Sequence, residues 1–488
     1  MVELQSPIIY DDFSSGVIDD VAVSESLLPR NAVRKAVNCV FDAPRGGVSG
    51  RLGSTVVGST LASRVRGLYN FRDSGTGTNH RLLVTDNGGI TYYLDGANFT
   101  STLSGDTPSL KTRFVTFLDR VARMNGTDAI KTWNGSGTWS TGGDALDAAN
   151  WPSRSKFAVV FNSRIYTAGD STNPDTLSYS TLPSSGALTW TGTGSGSLQI
   201  NPNDGAGGIT GLGTNGTVVM TFKKNALYRW DGSSTFANNI IPIGTPSHES
   251  IATHNSGWLY FFGEGLGGVG VYRTTGGYPQ LISRNIQRWI DSISSSSYEN
   301  VASFVDDDHY YLAVGSITVD GITYSNAWYV YTISSQGWHI ENRADTFSVF
   351  AQYIDSNDAV TIVGGDTDGN VQTINSGTTD NTAAISAECE FAPAYFTTRA
   401  RTKTFGRVTT YATYFQGLTF FLKTDTNDFY PLGEIKDTEQ HFGGAEITRF
   451  GLFRGKRFYP KISVSNSQAA WQFDGYEFSE VIDEGDYQ

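Results

Sequence analysis

The chain has 488 residues, 55 of them Gly, with 13% aromatic and only 17% charged residues. That balance suits many short strands joined by tight turns and excludes a mainly helical protein, which would be richer in Ala, Leu, Glu and Lys. A net charge of −13 excludes general binding to nucleic acid, which needs Lys and Arg clustered as a face, but leaves room for DNA to pass without sticking.

The low charged fraction also suggests that partner subunits cover part of the surface. The N-terminus, MVELQSPIIYDDF, has no basic flank followed by an apolar stretch, and no later segment reaches the roughly 18 apolar residues needed to cross a bilayer. A soluble protein with no secretory address and no membrane partner is expected.

Residues 1–62 read as an extended N-terminal arm leading into the first repeat, in which LPRNAVRKAVN allows a short helix after Pro29. From His80 the chain then spells out a hairpin, HRLLVTDNGGITYYLDG, with its Asp-Asn-Gly-Gly and Asp-Gly turns. The same plan returns from Arg120, Ser163, Gly216, Gly257, Asp308 and Ala359, giving seven hairpins spaced 40 to 53 residues apart. One hairpin per repeat leaves room for two further strands, the content of a four-stranded propeller blade. RFVTFL, KFAVVF and ENVASFV precede hairpins and suit innermost strands.

An all-β fold follows: a β-propeller of six or seven blades over residues 63–377, with the arm before it and a separate β-sandwich-like domain over 378–488. Sandwich arrays and jelly rolls also carry regular hairpins but seldom repeat one cassette so often. One helical interruption is expected at 281–293, where Ile282, Ile286, Trp289, Ile290 and Ile293 have helical spacing and Ser283 suits the N-cap.

Cys39 and Cys389 stand 350 positions apart, with no CxxC spacing and no His pair to complete a metal site. They read as two reduced, buried thiols, with one long-range disulfide as the alternative.

Because propellers often house sugar hydrolases, paired carboxylates come next. Asp306, Asp307 and Asp308 lie between two strands, where a turn needs Asp; Glu388, Glu390 and Glu264 complete the candidates. TWNGSGTW at 132–139 imitates a sialidase-type Asp-box turn, but with Asn134 for Asp and the Gly displaced. GDTDGN at 365–370 opens like a calcium loop yet lacks the trailing Glu, and a hairpin turn explains the same letters. No nucleophile elbow, Walker loop or GxGxxG is present, so no catalytic residue, cofactor or metal is assigned.

The one conspicuous basic cluster is Arg399, Arg401, Lys403 and Arg407, echoed by Arg454, Lys456 and Arg457. It reads as a solvated strand edge, a docking face for an acidic neighbour or a DNA contact; the second makes these residues the interface candidates.

Four segments carry a family resemblance: LLPRNAVRKAVNCVFDAPRGGVSGRLGS in the arm, NSRIYTAGDSTNPDTLSYSTLPSSGALTW, GAGGITGLGTNGTVVMTFKKNALYRWDG, and GVGVYRTTGGYPQLISRNIQRWIDSI. Over roughly residues 25 to 300 the chain resembles the β-propeller tail proteins of short-tailed phages, the nozzle or tubular tail proteins and the hubs that stabilise packaged DNA. The resemblance implies a non-enzymatic virion protein at the head-to-tail junction, assembled in the host cytoplasm. It implies a ring of copies, commonly six-fold, beside a portal adaptor or other tail protein, through which viral DNA passes without sequence-specific binding. Two alternatives remain. One is a carbohydrate-binding or carbohydrate-active propeller using Trp133, Trp139, Trp151 and Trp190; the other is an intracellular scaffold with a peptide partner.

Overall fold

Asp at a strand end can accept hydrogen bonds from backbone N–H groups two to four residues on, which closes a tight turn. In the computed structural model Asp86 takes the Ile90 N–H at 3.0 Å, Asp306 those of Asp308 and His309 at 3.0 and 2.7 Å, and Asp366 those of Asp368 and Asn370 at 2.9 and 2.7 Å. The structure describes residues 6–19, 28–41, 46–74, 80–232, 238–265, 268–355, 357–395, 401–414, 417–425, 427–435, 445–467 and 470–483.

These turns organise seven antiparallel blades. Blade 1 is Val65–Phe71, Arg81–Asp86, Thr91–Asp95 and Asn98–Leu103; blade 2 is Arg113–Phe117, Arg120–Met124 and Lys131–Trp133, extended by a Thr132–Ser140 bridge. Blade 3 is Phe157–Phe161, Arg164–Ala168, Thr176–Tyr179 and Gly196–Gln199; blade 4 is Ile209–Thr214, Val219–Lys223, Leu227–Trp230 and Asn238–Ile241. Blade 5 is Ala252–Thr253, Leu259–Gly265, Gly268–Thr274 and Gln280–Leu281, with Ile243–Gly244 pairing further along its second strand; blade 6 is Ala302–Val305, His309–Val319, Ile322–Thr332 and Trp338–Asn342. Blade 7 is Phe347–Ile354, Val360–Asp366 and Val371–Ile374, and its fourth strand is Ser54–Val57, from the N-terminal side of blade 1. Every hairpin read from the sequence supplies the second and third strands of a blade.

The first strands adjoin in ring order, with blade 7 against blade 1, and an apolar cluster lies between each pair of neighbours. Tyr166 meets Trp230 between blades 3 and 4, Phe222 meets Phe261 between 4 and 5, Tyr260 stacks on Tyr310 between 5 and 6, and Trp328 meets Phe347 between 6 and 7. Such aromatic-rich seams bury enough surface to hold flat sheets face to face. The fold is a closed seven-bladed β-propeller.

The rest is a two-sheet sandwich built from both chain ends. One sheet runs Ala445–Gly455, Lys403–Tyr414, Gln472–Asp483, Val48–Gly50, Cys39–Val40, with Ile8–Tyr10 also on Gln472–Asp483. The other runs Asn427–Glu434, Leu418–Thr424, Phe458–Ser467, Ala383–Phe391, Ala32–Val37, Gly16–Val17, and continues in parallel onto Trp338–Asn342 of blade 6. Where Gly16 pairs with Trp338, its φ is +62° and a Cβ would lie 2.5 Å from the Trp338 carbonyl, so only Gly fits. Phe13, Phe391, Phe405, Phe420, Phe473, Tyr476 and Phe478 share the core between the sheets.

Two expectations are corrected. The possible helix after Pro29 is the strand Ala32–Val37: cross-strand pairing with Ala383–Phe391 prevails over helix propensity, and Lys35 and Arg34 reach Glu388 and Glu390 across it. At 281–293 a 3-10 turn, Arg284–Ile286, leads into a single α turn, Gln287–Asp291. Ser283 does not cap it, because its hydroxyl accepts the Val271 N–H of blade 5 at 3.0 Å. Ile286, Trp289, Ile290 and Ile293 are buried as their spacing requires.

Arm, propeller and sandwich meet at a buried ionic junction. Arg51 grips both oxygens of Asp380 at 2.8 and 2.6 Å and donates to Asn38 Oδ1 and the Asn342 carbonyl, while fully buried Arg343 pairs with Glu341 at 2.6 Å. Cys39 and Cys389 are buried and free in the sandwich core, the Cys39 thiol donating to the Glu388 carbonyl at 3.3 Å. Burial, then the Cys39 thiol beside it, pushes the Cys389 thiol well above the usual range.

Candidate functional site

Apart from Asp307, which is exposed, the carboxylates considered for hydrolysis are engaged by neighbouring groups. Asp306 closes its turn as described, and Asp308 accepts from the Ser334 N–H and hydroxyl at 2.9 and 2.7 Å. Glu388 is held by Lys35 at 3.1 Å and Lys461 at 2.8 Å; burial works against its charge, but these two ammonium groups keep its carboxyl below the usual carboxylate range. Glu390 lies 4.0 Å from Arg34, and Glu264 lies 3.7 Å from Lys224. The other oxygen of Asp366 accepts from Asn370 and Gln372 side chains at 3.0 and 2.8 Å, so the calcium-like letters form a hairpin turn. Among the described residues, no three His, Cys, Asp or Glu side chains gather as a metal site.

The four Trp residues weighed as sugar platforms pack inside the propeller. Trp133, Trp151 and Trp190 are buried, Trp139 stacks on Trp133 with ring centres 5.5 Å apart, and Trp151 lies 4.4 Å from Trp190.

The axis of the propeller holds a constellation that sequence spacing did not reveal. A 3-10 turn, His248–Ser250, crosses the face where the first strands begin. Glu249 there accepts from Lys111 Nζ at 3.0 Å and Arg113 Nε at 2.8 Å, both from the start of blade 2. The same Lys111 donates to the Glu299 carbonyl at 3.0 Å, and the Ser247 hydroxyl to the Val301 carbonyl at 2.8 Å, joining the approach to blade 6. His248 Nδ1 accepts the Leu212 N–H of blade 4 at 3.3 Å, and its ring lies 4.7 Å from Phe157 of blade 3. Burial, then Arg113 nearby, lowers the His248 pKa to about 3, so the ring is neutral. Burial opposes the Glu249 charge, yet Arg113 and Lys111 hold its carboxyl well below the usual range. One short turn thus touches blades 2, 3, 4 and 6 and ties them together across the ring.

The basic set falls mainly at one end of the sandwich. Pairing of Lys403–Tyr414 with Ala445–Gly455 puts Thr404 opposite Arg454, and Arg401, Arg454, Lys456 and Arg457 are exposed there. The Lys456 N–H donates to Asp425 at 2.8 Å, and the Arg457 guanidinium sits 5.9 Å over the Tyr395 ring. Lys403 points inward beside Phe405, fully buried, its ammonium donating to the Arg401 carbonyl at 2.9 Å, which leaves it out of the exposed face. Arg407 is half-buried in mid-sheet opposite Phe450 and Ser479, away from that end. Arg399 lies outside the described residues.

No protein-family model matches the sequence, and no curated protein matches it. Solved structures similar to the chain include YCF48 from Cyanidioschyzon merolae, at 11% identity and TM-score 0.41, covering 67% of this chain and 98% of that one. Sqt1 of Saccharomyces cerevisiae aligns at 8% identity and TM-score 0.40 over 66% of this chain and 98% of its own. The extracellular domain of BT4673 from B. thetaiotaomicron aligns at 13% identity and TM-score 0.43 over 81% of this chain and 49% of its own. The fold assignment rests on the strand pairings of the chain itself.

Proposed function

We propose that this chain is a non-enzymatic structural protein of a phage tail, a subunit of the ring, nozzle or hub at the head-to-tail junction. Copies of it, six to a ring, pack around the conduit by which DNA leaves the particle, next to a portal adaptor or another tail protein. It assembles in the host cytoplasm and resides in the virion.

The observation that carries this reading is the Glu249 turn, whose ion pairs and hydrogen bonds brace blades 2, 3, 4 and 6 against one another. A propeller braced in this way is a rigid subunit, and a passage for a duplex is one that several copies enclose between them. Two further features support it. Strands of the arm, one sheet of the sandwich and blades 6 and 7 are hydrogen-bonded into one continuous sheet, which makes the chain a single building block. The net charge of −13 suits DNA that slides past without being held. Against the carbohydrate-binding alternative, the Trp side chains that would stack on sugars are spent on packing. Negative-stain images of the pure protein test the proposal: rings or short tubes with a central hole wide enough for a duplex are expected, and separate single propellers at every concentration would count against it.

A further inference from the structure

The strands of a blade alternate in direction, so the turns between first and second strands all lie on one face of the propeller. In blades 6, 7 and 1 those turns carry Asp306, Asp307, Asp308, Asp355, Asp358 and Asp73, against a single Arg72. Asp307 is exposed, and Asp358, 79% exposed, meets Arg72 at 2.8 Å. A cleft of about 400 Å³ opens on this face between blades 5, 6 and 7. Asp307 and His254 stand on its rim, and Val360, 56% exposed, offers it an apolar wall.

The exposed end of the sandwich has the opposite character. A groove lies there between the edge strands Asn427–Glu434 and Ala445–Gly455, floored by Leu422 and Phe453 and flanked by Arg454 and Lys456. Tyr430, 63% exposed, lines it together with the acidic Asp425 and Asp428, of which Asp425 is engaged by backbone N–H groups of Lys456 and Arg457, while exposed Arg401 and Arg457 bring the cations at this end to four. Tyr and Arg are the residue types that dominate binding energy when they enter a pocket, and patches of opposite sign guide them in.

We infer that the Tyr430 end of the sandwich of one copy docks at the acidic cleft between blades 5, 6 and 7 of the next. This rests on the ring reading above and names the contact that builds the ring. The two surfaces differ, so the interface is head to tail, the kind that closes into a ring when the rotation per copy divides a full turn. Assembly weakens as salt rises, because the exposed charges are screened.

The test uses two variants of the full chain, Arg454→Glu with Lys456→Glu, and Asp307→Lys with Asp358→Lys, each checked for an unchanged thermal melt. Each alone is expected to raise the concentration needed for assembly at least about tenfold, since like charges then face each other. Mixed in equal amounts, they are expected to assemble again, because each reversed surface then meets a complementary one. Assembly by either variant as readily as by the parent, or failure of the mixture to recover, overturns the contact while leaving the ring reading intact. A parent chain that stays a single copy throughout overturns both.

Discussion

Replacing Glu249 by Gln would remove the charge at the centre of the propeller without changing its shape. The carboxylate side chain is 13% exposed, and Lys111 and Arg113 beside it are 18% and 16% exposed. Gln can still accept one hydrogen bond, but it leaves two largely buried cations with no countercharge at the axis. Breaking a buried pair from one side costs about 3 to 5 kcal/mol, and the residual exposure and surviving bond put this case near the lower end, about 3 kcal/mol. Urea denaturation at pH 7 measures it as a lower midpoint with an unchanged slope. The pH dependence provides a second check. Glu249 has a folded pKa below its unfolded value, so its contribution is fully present above about pH 4.3 and is lost as pH falls towards the folded value. Parent and variant should therefore converge in stability on acidification below about pH 4.3. A Gln variant within about 0.5 kcal/mol of the parent at neutral pH, or a difference that does not shrink in acid, would refute the role given to this turn.

Two other perturbations address the way the chain ends are used. Removing residues 1–57 takes away the outer strand of blade 7 and five strands of the sandwich, so the remainder should lose its near-ultraviolet circular dichroism and aggregate; a truncated chain with a sharp cooperative melt would contradict the closure described. Cys39 and Cys389 should resist a thiol reagent in the native protein and both react in guanidinium, as buried, reduced thiols do. Fast reaction of either without denaturant would mean that the sandwich core opens.

The repeat was legible because its determinants are local. An Asp or Asn followed by Gly fixes a turn within four residues, and the strands on either side carry their own hydrophobic pattern, so DNGG at 86–89 and DTDG at 366–369 announce their blades. Closure was not legible, since Ser54–Val57 pairs with Val371–Ile374 more than 300 residues away, and nothing in its four residues names that partner. Ala32–Val37 misled for a related reason. Its buried pairs, Ala32 with Val33 and Ala36 with Val37, recur every four residues as on a helix face, while the deciding term is a sheet supplied by the far end of the chain. The basic residues could be found by composition, but inward and outward positions alternate along Lys403–Tyr414, and only register shows that Lys403 is inside. The axial turn gave no sequence signal: Lys111, Arg113 and Glu249 are ordinary charged residues until ring closure sets them face to face.

The central claim, that the chain works as one subunit of a closed ring, is tested most directly by its mass in solution. Light scattering across a range of protein concentrations should show a discrete species at six times the 52.9 kDa of the chain, diminishing as salt rises. A single-chain mass at every concentration and salt level would contradict it.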